Sequence, residues 1–283
     1  MTVDNVKISK AFLECGDDLY LNDHIKIKHP TIGEILELGY GIYCDDYYWS
    51  YVFTLINDPY DNMVWLDDLG IDYESVSAFD VFMLKWENLD ETYNKNKKNF
   101  DEENFNPKSQ LIEALDFFII GDHEYKLTNY QDGSKCLYDA KRAREVTNTK
   151  NPNDFLQINN NIFDYISTFI KMINGINRTD KIKPADDNAK KILIEDMRDE
   201  QKRKQKNKQA DDEDWLGNMI SGAVHGGNGG ITSLNVKQHK IYQVYSALSV
   251  TQKKLHFNHI MGGVYAGNVN SKELNTQELS WMS

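Results

Sequence analysis

Residues 184–208, PADDNAKKILIEDMRDEQKRKQKNK, carry a helix start, an apolar stripe and a basic end within one unbroken run. Pro184, Asp186 and Asp187 lie in the first turn and Arg203, Lys204, Lys206 and Lys208 crowd the far end, a polarity that suits the helix dipole. Ala185, Ala189, Ile192, Leu193 and Met197 recur every three to four residues, and no further apolar residue occurs until Ala210. A helix apolar on one stripe and then polar all round is expected to dock by its first half and project by its second. Asp199 with Arg203 and Glu200 with Lys204 are ordered i,i+4 pairs, each adding roughly 0.2–0.5 kcal/mol to an exposed helix. At about 1.5 Å per residue the run spans ~37 Å.

This helix divides a chain of uneven charge. Net charge is −15 over residues 1–180, +4 over 181–210 and −1 over 211–283, within the overall −12. An acidic body disfavours sequence-independent binding of nucleic acid, which needs clustered Lys and Arg. Cys15, Cys44 and Cys136 are odd in number and widely spaced, so neither a disulfide framework nor a CxxC metal site is indicated. Residues 1–7 show no basic region followed by an apolar core, and no run approaches the roughly eighteen apolar residues of a membrane span, so a cytoplasmic protein without membrane partners is expected.

On the N-terminal side, Asp18–Leu21 and His24–Lys28 alternate around Asn22-Asp23 as a hairpin. Thr31-Ile32-Gly33-Glu34 is a capping box, and Gly39 and Gly41 are expected to break the helical run after it in two. The run Tyr47, Tyr48, Trp49, Tyr51, Phe53 reads as helix packing rather than a stacking platform. A short helix ends at Gly70, and another opens at Ser77 with Phe79, Phe82, Met83 and Trp86 on one face. Residues 88–105 read as a polar loop or helix end. Leu115–Ile120 and His123–Leu127 around Gly121-Asp122 read as a second hairpin, Asp132-Gly133 as a further turn, and residues 161–173 as a helix with a broad apolar stripe.

On the C-terminal side, Trp215, Leu216, Met219, Ile220, Ala223 and Val224 form an amphipathic helix between an acidic break (210–214) and a glycine joint (226–230). Asn235 and Gln238 read as a second capping box, opening a helix with Ile241, Val244, Tyr245, Leu248 and Leu255 on one side, and Gly262-Gly263 as its end. The predicted fold is α+β and predominantly helical. An N-terminal domain (1–180) with small hairpins is expected to fold alone, with a linking helix (181–210) and a small helical C-terminal module (211–283) after it.

No chemistry is indicated with comparable force. His256 and His259 share a helical face, but neither a Glu at the right place nor a third ligand accompanies them. The glycines near 226–230 lack the Lys-Ser or Lys-Thr of a phosphate loop. Asp45-Asp46, Asp67-Asp68 and Asp186-Asp187 are adjacent acids pointing different ways on helices. No catalytic residue, cofactor or metal is therefore predicted. The binding candidates are the apolar stripe Trp215, Leu216, Met219, Ile220 and Val224, and the basic end Arg198, Lys202, Arg203, Lys204 and Lys206, the latter suited to a second copy's acidic body.

His29–Ile35, Leu69–Tyr73, Phe79–Phe82, Ile182–Ala185, Ala189–Ile192, Ile241–Tyr245 and Gly262–Asn268 occur in an order that resembles the tail assembly chaperones of tailed phages. The resemblance covers most of the chain through short structural motifs. It implies a non-enzymatic protein of the infected host's cytoplasm that binds the tape-measure protein and tail-tube subunits during tail morphogenesis. A structural tail or baseplate component and a phage-encoded inhibitor of host defence are the alternative expectations.

Overall fold

In the computed structural model, residues 8–96, 108–129, 133–145, 156–176, 183–206, 214–226, 230–270 and 274 are described, without the side chains of 90, 92–94, 96 and 204–206. The elements run α1 (Lys10–Cys15), β1 (Leu19–Asn22), β2 (Ile25–Ile27), α2 (Ile32–Leu36), a 3-10 turn (Leu38–Gly41), α3 (Cys44–Ile56), α4 (Met63–Asp68), α5 (Ala78–Asn96) and α6 (Ser109–Phe118). They continue as β3 (Tyr125–Asn129), β4 (Lys135–Asp139), α7 (Ala140–Glu145), β5 (Gln157–Ile158), α8 (Asn160–Ile173), α9 (Asp187–Lys206), α10 (Trp215–His225), a 3-10 turn (Val236–Gln238) and α11 (Ile241–Tyr265). The fold is α+β and predominantly helical, with two small antiparallel sheets among the described residues, ordered β1-β2 and β3-β4-β5.

Contacts group the chain into two units that interleave along the sequence. One comprises Met1–Ile8, Asp18–His29 and Asp46–Glu213; the other comprises Ser9–Asp17, Pro30–Asp45 and Asp214–Ser283. The charged helix α9 thus falls within the larger unit.

In the larger unit the core is aromatic. Apolar residues at helical spacing bury Tyr48, Tyr51, Val52, Leu55 and Ile56 from α3, Phe79, Phe82, Met83 and Trp86 from α5, and Ile162, Phe163, Ile166, Phe169, Ile170 and Ile173 from α8. Tyr47 and Phe53 of the same aromatic run are instead about half exposed. Two polar groups buried in this core are paired: the Tyr48 hydroxyl donates to Asn174 Oδ1 at 2.8 Å, and Ser167 Oγ donates to the Ile56 carbonyl at 3.2 Å. Burial pushes the Tyr48 hydroxyl pKa far above its ordinary value, so this donor keeps its proton.

Three local expectations are corrected by the fold. Residues expected to form a strand over Leu115–Phe118 lie in α6, because Leu111, Ala114, Leu115 and Phe118 recur at helical spacing on one buried face. A short apolar run satisfies both periods, and only Ile119 pairs as strand, with Ile27. The first hairpin turns at Asp23-His24, one residue later than expected, with Asn22 paired to Ile25 and its Oδ1 accepting from His24 N. Ile192 of the expected α9 stripe is 59% exposed, while Ile194 is buried beside Leu193 and Met197. Asp132 of the second turn lies outside the described residues, as do 97–105 of the expected loop.

The smaller unit is built from three pieces of chain. α1 is capped by Ser9 Oγ and closed by Gly16 at φ 77°. A Cβ at Gly16 would lie 2.8 Å from Lys240 Cγ, so the left-handed turn and the close approach both require glycine. Ile32 N donates to the His239 carbonyl at 2.9 Å and Ile241 N to the Pro30 carbonyl at 3.0 Å, fastening residues 30–32 along 239–241. Beneath this seam Leu13, Ile32, Ile35, Val236, Ile241 and Val244 are buried. Both halves of the Thr31–Glu34 capping box are formed.

The seam also explains why α11 opens at Ile241 and not at Asn235. Held extended against Thr31, Lys240 becomes the residue preceding the helix, and its N–H donates to Gln243 Oε1 at 3.0 Å. At its far end α11 runs through Gly262-Gly263 to Tyr265. The stop is Gly267 at φ 75°, after which Asn268 N bonds back to the Gly263 carbonyl at 2.9 Å. Gly33 lies against the Lys237 carbonyl, where a Cβ would sit at 2.9 Å. Gly33→Ala is therefore expected to destabilise this unit by about 1–3 kcal/mol in denaturant unfolding, although alanine is the better helix former.

Candidate partner-binding surfaces

α9 begins where Asp186 Oδ1 accepts from Ala189 N at 2.8 Å. Its docked stretch takes the order Lys190, Leu193, Ile194, Met197, Arg198. Ile194 enters a cluster of Met63, Val64, Leu66, Tyr73 and Val81, flanked by Leu193 and Met197. At one end Lys190 Nζ binds Asp72, lies 2.7 Å from Glu74 Oε2 and sits 4.8 Å over the Tyr73 ring. At the other end the Arg198 guanidinium spans Asp68 at 2.8 Å and Asp67 at 3.0 Å. The hydrogen bond from Lys190 holds the Asp72 carboxyl below its ordinary pKa.

Arg198, one of the predicted partner-binding residues, is thus engaged within its own unit. Lys202 pairs with Asp199 at 3.2 Å, and Arg203 is exposed. The Lys204 and Lys206 side chains lie outside the described set, as does Lys208. The acidic partners of these ion pairs are about half open to solvent, and such pairs contribute only about 0–1 kcal/mol each.

α10 is capped by Asp214 Oδ1, which accepts from Gly217 N at 2.7 Å, while Asp45 Oδ2 accepts from Leu216 N at 3.3 Å. Leu216, Met219 and Ala223 are buried, and α10 packs on α11, where Gly222 lies close to the Leu248 side chain. Trp215, Ile220 and Val224 are half-buried. The apolar stripe is thus divided between packing and access: Leu216 and Met219 serve the core, and the other three retain exposed surface. The acidic break at 210–213 and the joint at 227–229 lie outside the described residues.

Beyond Thr251, α11 presents Leu255, His256 and His259 to solvent, with Phe257, Ile260, Met261 and Val264 half-buried. Another surface had no signal beyond its glycines. Gly39, Tyr40 and Gly41 all have positive φ, and Tyr40 is fully exposed, with Ile42 and Tyr43 also exposed. A left-handed non-glycine residue costs of order 1 kcal/mol, and here the strained backbone displays an aromatic side chain.

In the larger unit, a cleft of about 290 Å³ is lined by Asp23, His24, Asp122, His123, Asp139 and Lys141 among others. His123 Nδ1 lies 2.9 Å from Asp139 Oδ2, and Asp139 Oδ1 accepts from the N–H groups of Glu124, Lys141 and Arg142. The pair is sixteen residues apart and meets because β3 and β4 place Tyr125 opposite Asp139. Spacing alone could not reveal it. A His–Asp pair orients an imidazole for base chemistry, but the lining described for this cleft contains no Ser, Thr or Cys to serve as nucleophile. Its evident work is to cap α7 and pin the loop before β3.

Burial raises the Asp139 carboxyl, and the hydrogen bonds from His123 and the Glu124 and Arg142 N–H groups outweigh it, leaving the pKa below the ordinary carboxylate value. A carboxyl depressed in the folded state stabilises above its unfolded pKa of about 3.9, and that contribution is lost as pH falls through the folded value. Asp139→Ala is expected to cost about 1–3 kcal/mol at neutral pH by leaving several donors unsatisfied. The difference between wild type and variant should shrink below pH ~4 in a thermal series; a constant difference would mean that the carboxylate's charge is not responsible.

Among the described residues no helix is long and apolar enough to cross a membrane, and no group of three or more His, Cys, Asp or Glu is placed to hold a metal ion. No curated protein and no solved structure matches the chain. Residues 203–283, which include α10 and α11, are similar to the family described as the YomV second domain, a phage-derived family.

Proposed function

We propose that this chain is a non-enzymatic phage tail assembly chaperone, acting in the infected host by binding the tape-measure protein, tail-tube subunits, or both. The observation that carries the reading is the match of residues 203–283 to a phage-derived domain family. The ordered motifs that resemble tail assembly chaperones add the specific role. Helix surfaces suit it: Trp215, Ile220 and Val224 keep accessible apolar area on α10, and Tyr40, Ile42 and Tyr43 form a second exposed patch. Half-open apolar faces of this kind are used to grip partner helices in grooves.

Deleting the gene from its phage tests the reading by electron microscopy of the lysate. Filled heads without tails are expected. Normal tailed particles would overturn it. Stoichiometric amounts of the chain in purified wild-type virions would favour a structural tail component, and a growth defect confined to hosts with a defence system would favour an inhibitor.

A further inference from the structure

α9 is held by a narrow attachment that has the form of a recognition site. One buried side chain, Ile194, is flanked by half-buried Leu193 and Met197, and basic residues at both ends meet acidic pairs: Lys190 with Asp72 and Glu74, Arg198 with Asp67 and Asp68. Lys190 and Arg198 are eight positions apart, about 12 Å along a helix, so the seat reads basic, apolar, apolar, apolar, basic over little more than two turns. The apolar floor comes from α4, the segment through Ile71, Tyr73 and Val76, and the start of α5. Any helix carrying this pattern meets the same complement of charge and shape.

We propose that this groove is a helix-docking site, filled by α9 of the same chain and equally by α9 of a second copy, so that two copies associate by exchanging the helix. Three considerations point to the second copy as occupant. Its α9 is the sequence whose fit to the groove is already seen. Thirteen residues separate Ile173 from Asp187, a connection reaching up to about 45 Å when extended, longer than the ~30 Å helix it carries. Each copy supplies both helix and groove, so exchange closes on a two-fold axis and stops at the dimer. Helix exchange is independent of the tail-assembly reading.

Complementary charge reversal tests it in the full-length protein. One variant carries Lys190→Glu and Arg198→Glu on the helix; the other carries Asp67→Lys, Asp68→Lys and Glu74→Lys in the groove. Each is mismatched within itself, and the mixture is matched only between copies. Sedimentation should show the mixture forming a 1:1 dimer, weakened about tenfold from roughly 50 mM to 500 mM salt, and each variant alone as monomer. A mixture that sediments as the sum of its parts overturns the proposal. Should either variant fail to fold, the unmodified chain decides through fluorescence anisotropy with a labelled peptide of residues 187–206. The proposal requires the peptide to bind at least tenfold more tightly than the same peptide with Arg198→Glu, and equal or absent binding of both contradicts it.

Discussion

Phe163→Ala is expected to destabilise the larger unit by about 3–5 kcal/mol, the range for emptying a fully buried aromatic site. Phe163 has no exposed surface, and its ring centroid lies 5.4 Å from that of Phe79 and 5.1 Å from that of Phe82. Its removal takes away a side chain through which α8 meets α5, and Phe79 and Phe82, both anchored on α5, cannot fully collapse into the space. Phe53→Ala provides the contrast. Phe53 stacks on Trp49 at 5.5 Å but is half exposed, and its loss should cost about 1 kcal/mol or less. Melting temperatures should separate the two by roughly 10 °C. Similar values would mean that the buried face of α8 is not where the unit's stability lies.

A second large effect is expected from dividing the chain at the family boundary. Residues 203–283 expressed alone lack Leu13, Ile32 and Ile35, which complete the core around Ile241 and Val244. At about 1.5–3 kcal/mol per buried aliphatic side chain, the missing contribution is roughly 5–9 kcal/mol, an upper bound comparable with the whole stability of a small domain. The fragment also loses the backbone partners of His239 and Ile241. It should show no cooperative unfolding transition by circular dichroism, and joining residues 9–45 to its N-terminus should restore one. A fragment that melts cooperatively alone would show that the N-terminal pieces only decorate the unit.

Much of the helical architecture is written in local pattern. The Thr31–Glu34 box, the Gly70 stop and the buried face Phe79, Phe82, Met83, Trp86 appear where capping chemistry and 3.6-residue periodicity place them. What periodicity cannot supply is the partner of each face. Leu115–Phe118 satisfies strand and helix alike until its neighbours are known. Asn235 offers a helix start that the extended pairing of Lys240 with Thr31 overrides, 209 residues away in sequence. The assembly of the smaller unit from residues 9–17, 30–45 and 214–283 has no sequence signal, because local periodicity does not say which distant segment each face packs against.

The binding candidates divide along the same line. Composition locates a basic helix in an acidic chain, but not the meeting of Arg198 with Asp67 and Asp68 within its own unit, since these contacts span more than a hundred residues. The α10 stripe is legible as apolar, whereas the assignment of Leu216 and Met219 to the core and of Trp215, Ile220 and Val224 to partial exposure depends on how α11 lies beneath it. The His123–Asp139 pair and the exposed Tyr40 turn need a hairpin register and a backbone angle, neither of which a spacing rule contains.

The tail-assembly assignment stands or falls on co-expression with the tape-measure protein and the tail-tube protein of the same phage. Affinity capture of the tagged full-length chain should retain the tape-measure protein, the tail-tube protein or both in fixed ratio after washing, with Trp215→Ser/Ile220→Ser reducing the yield. If the folded chain retains neither protein while both are present and soluble in the lysate, the assignment to tail assembly is wrong.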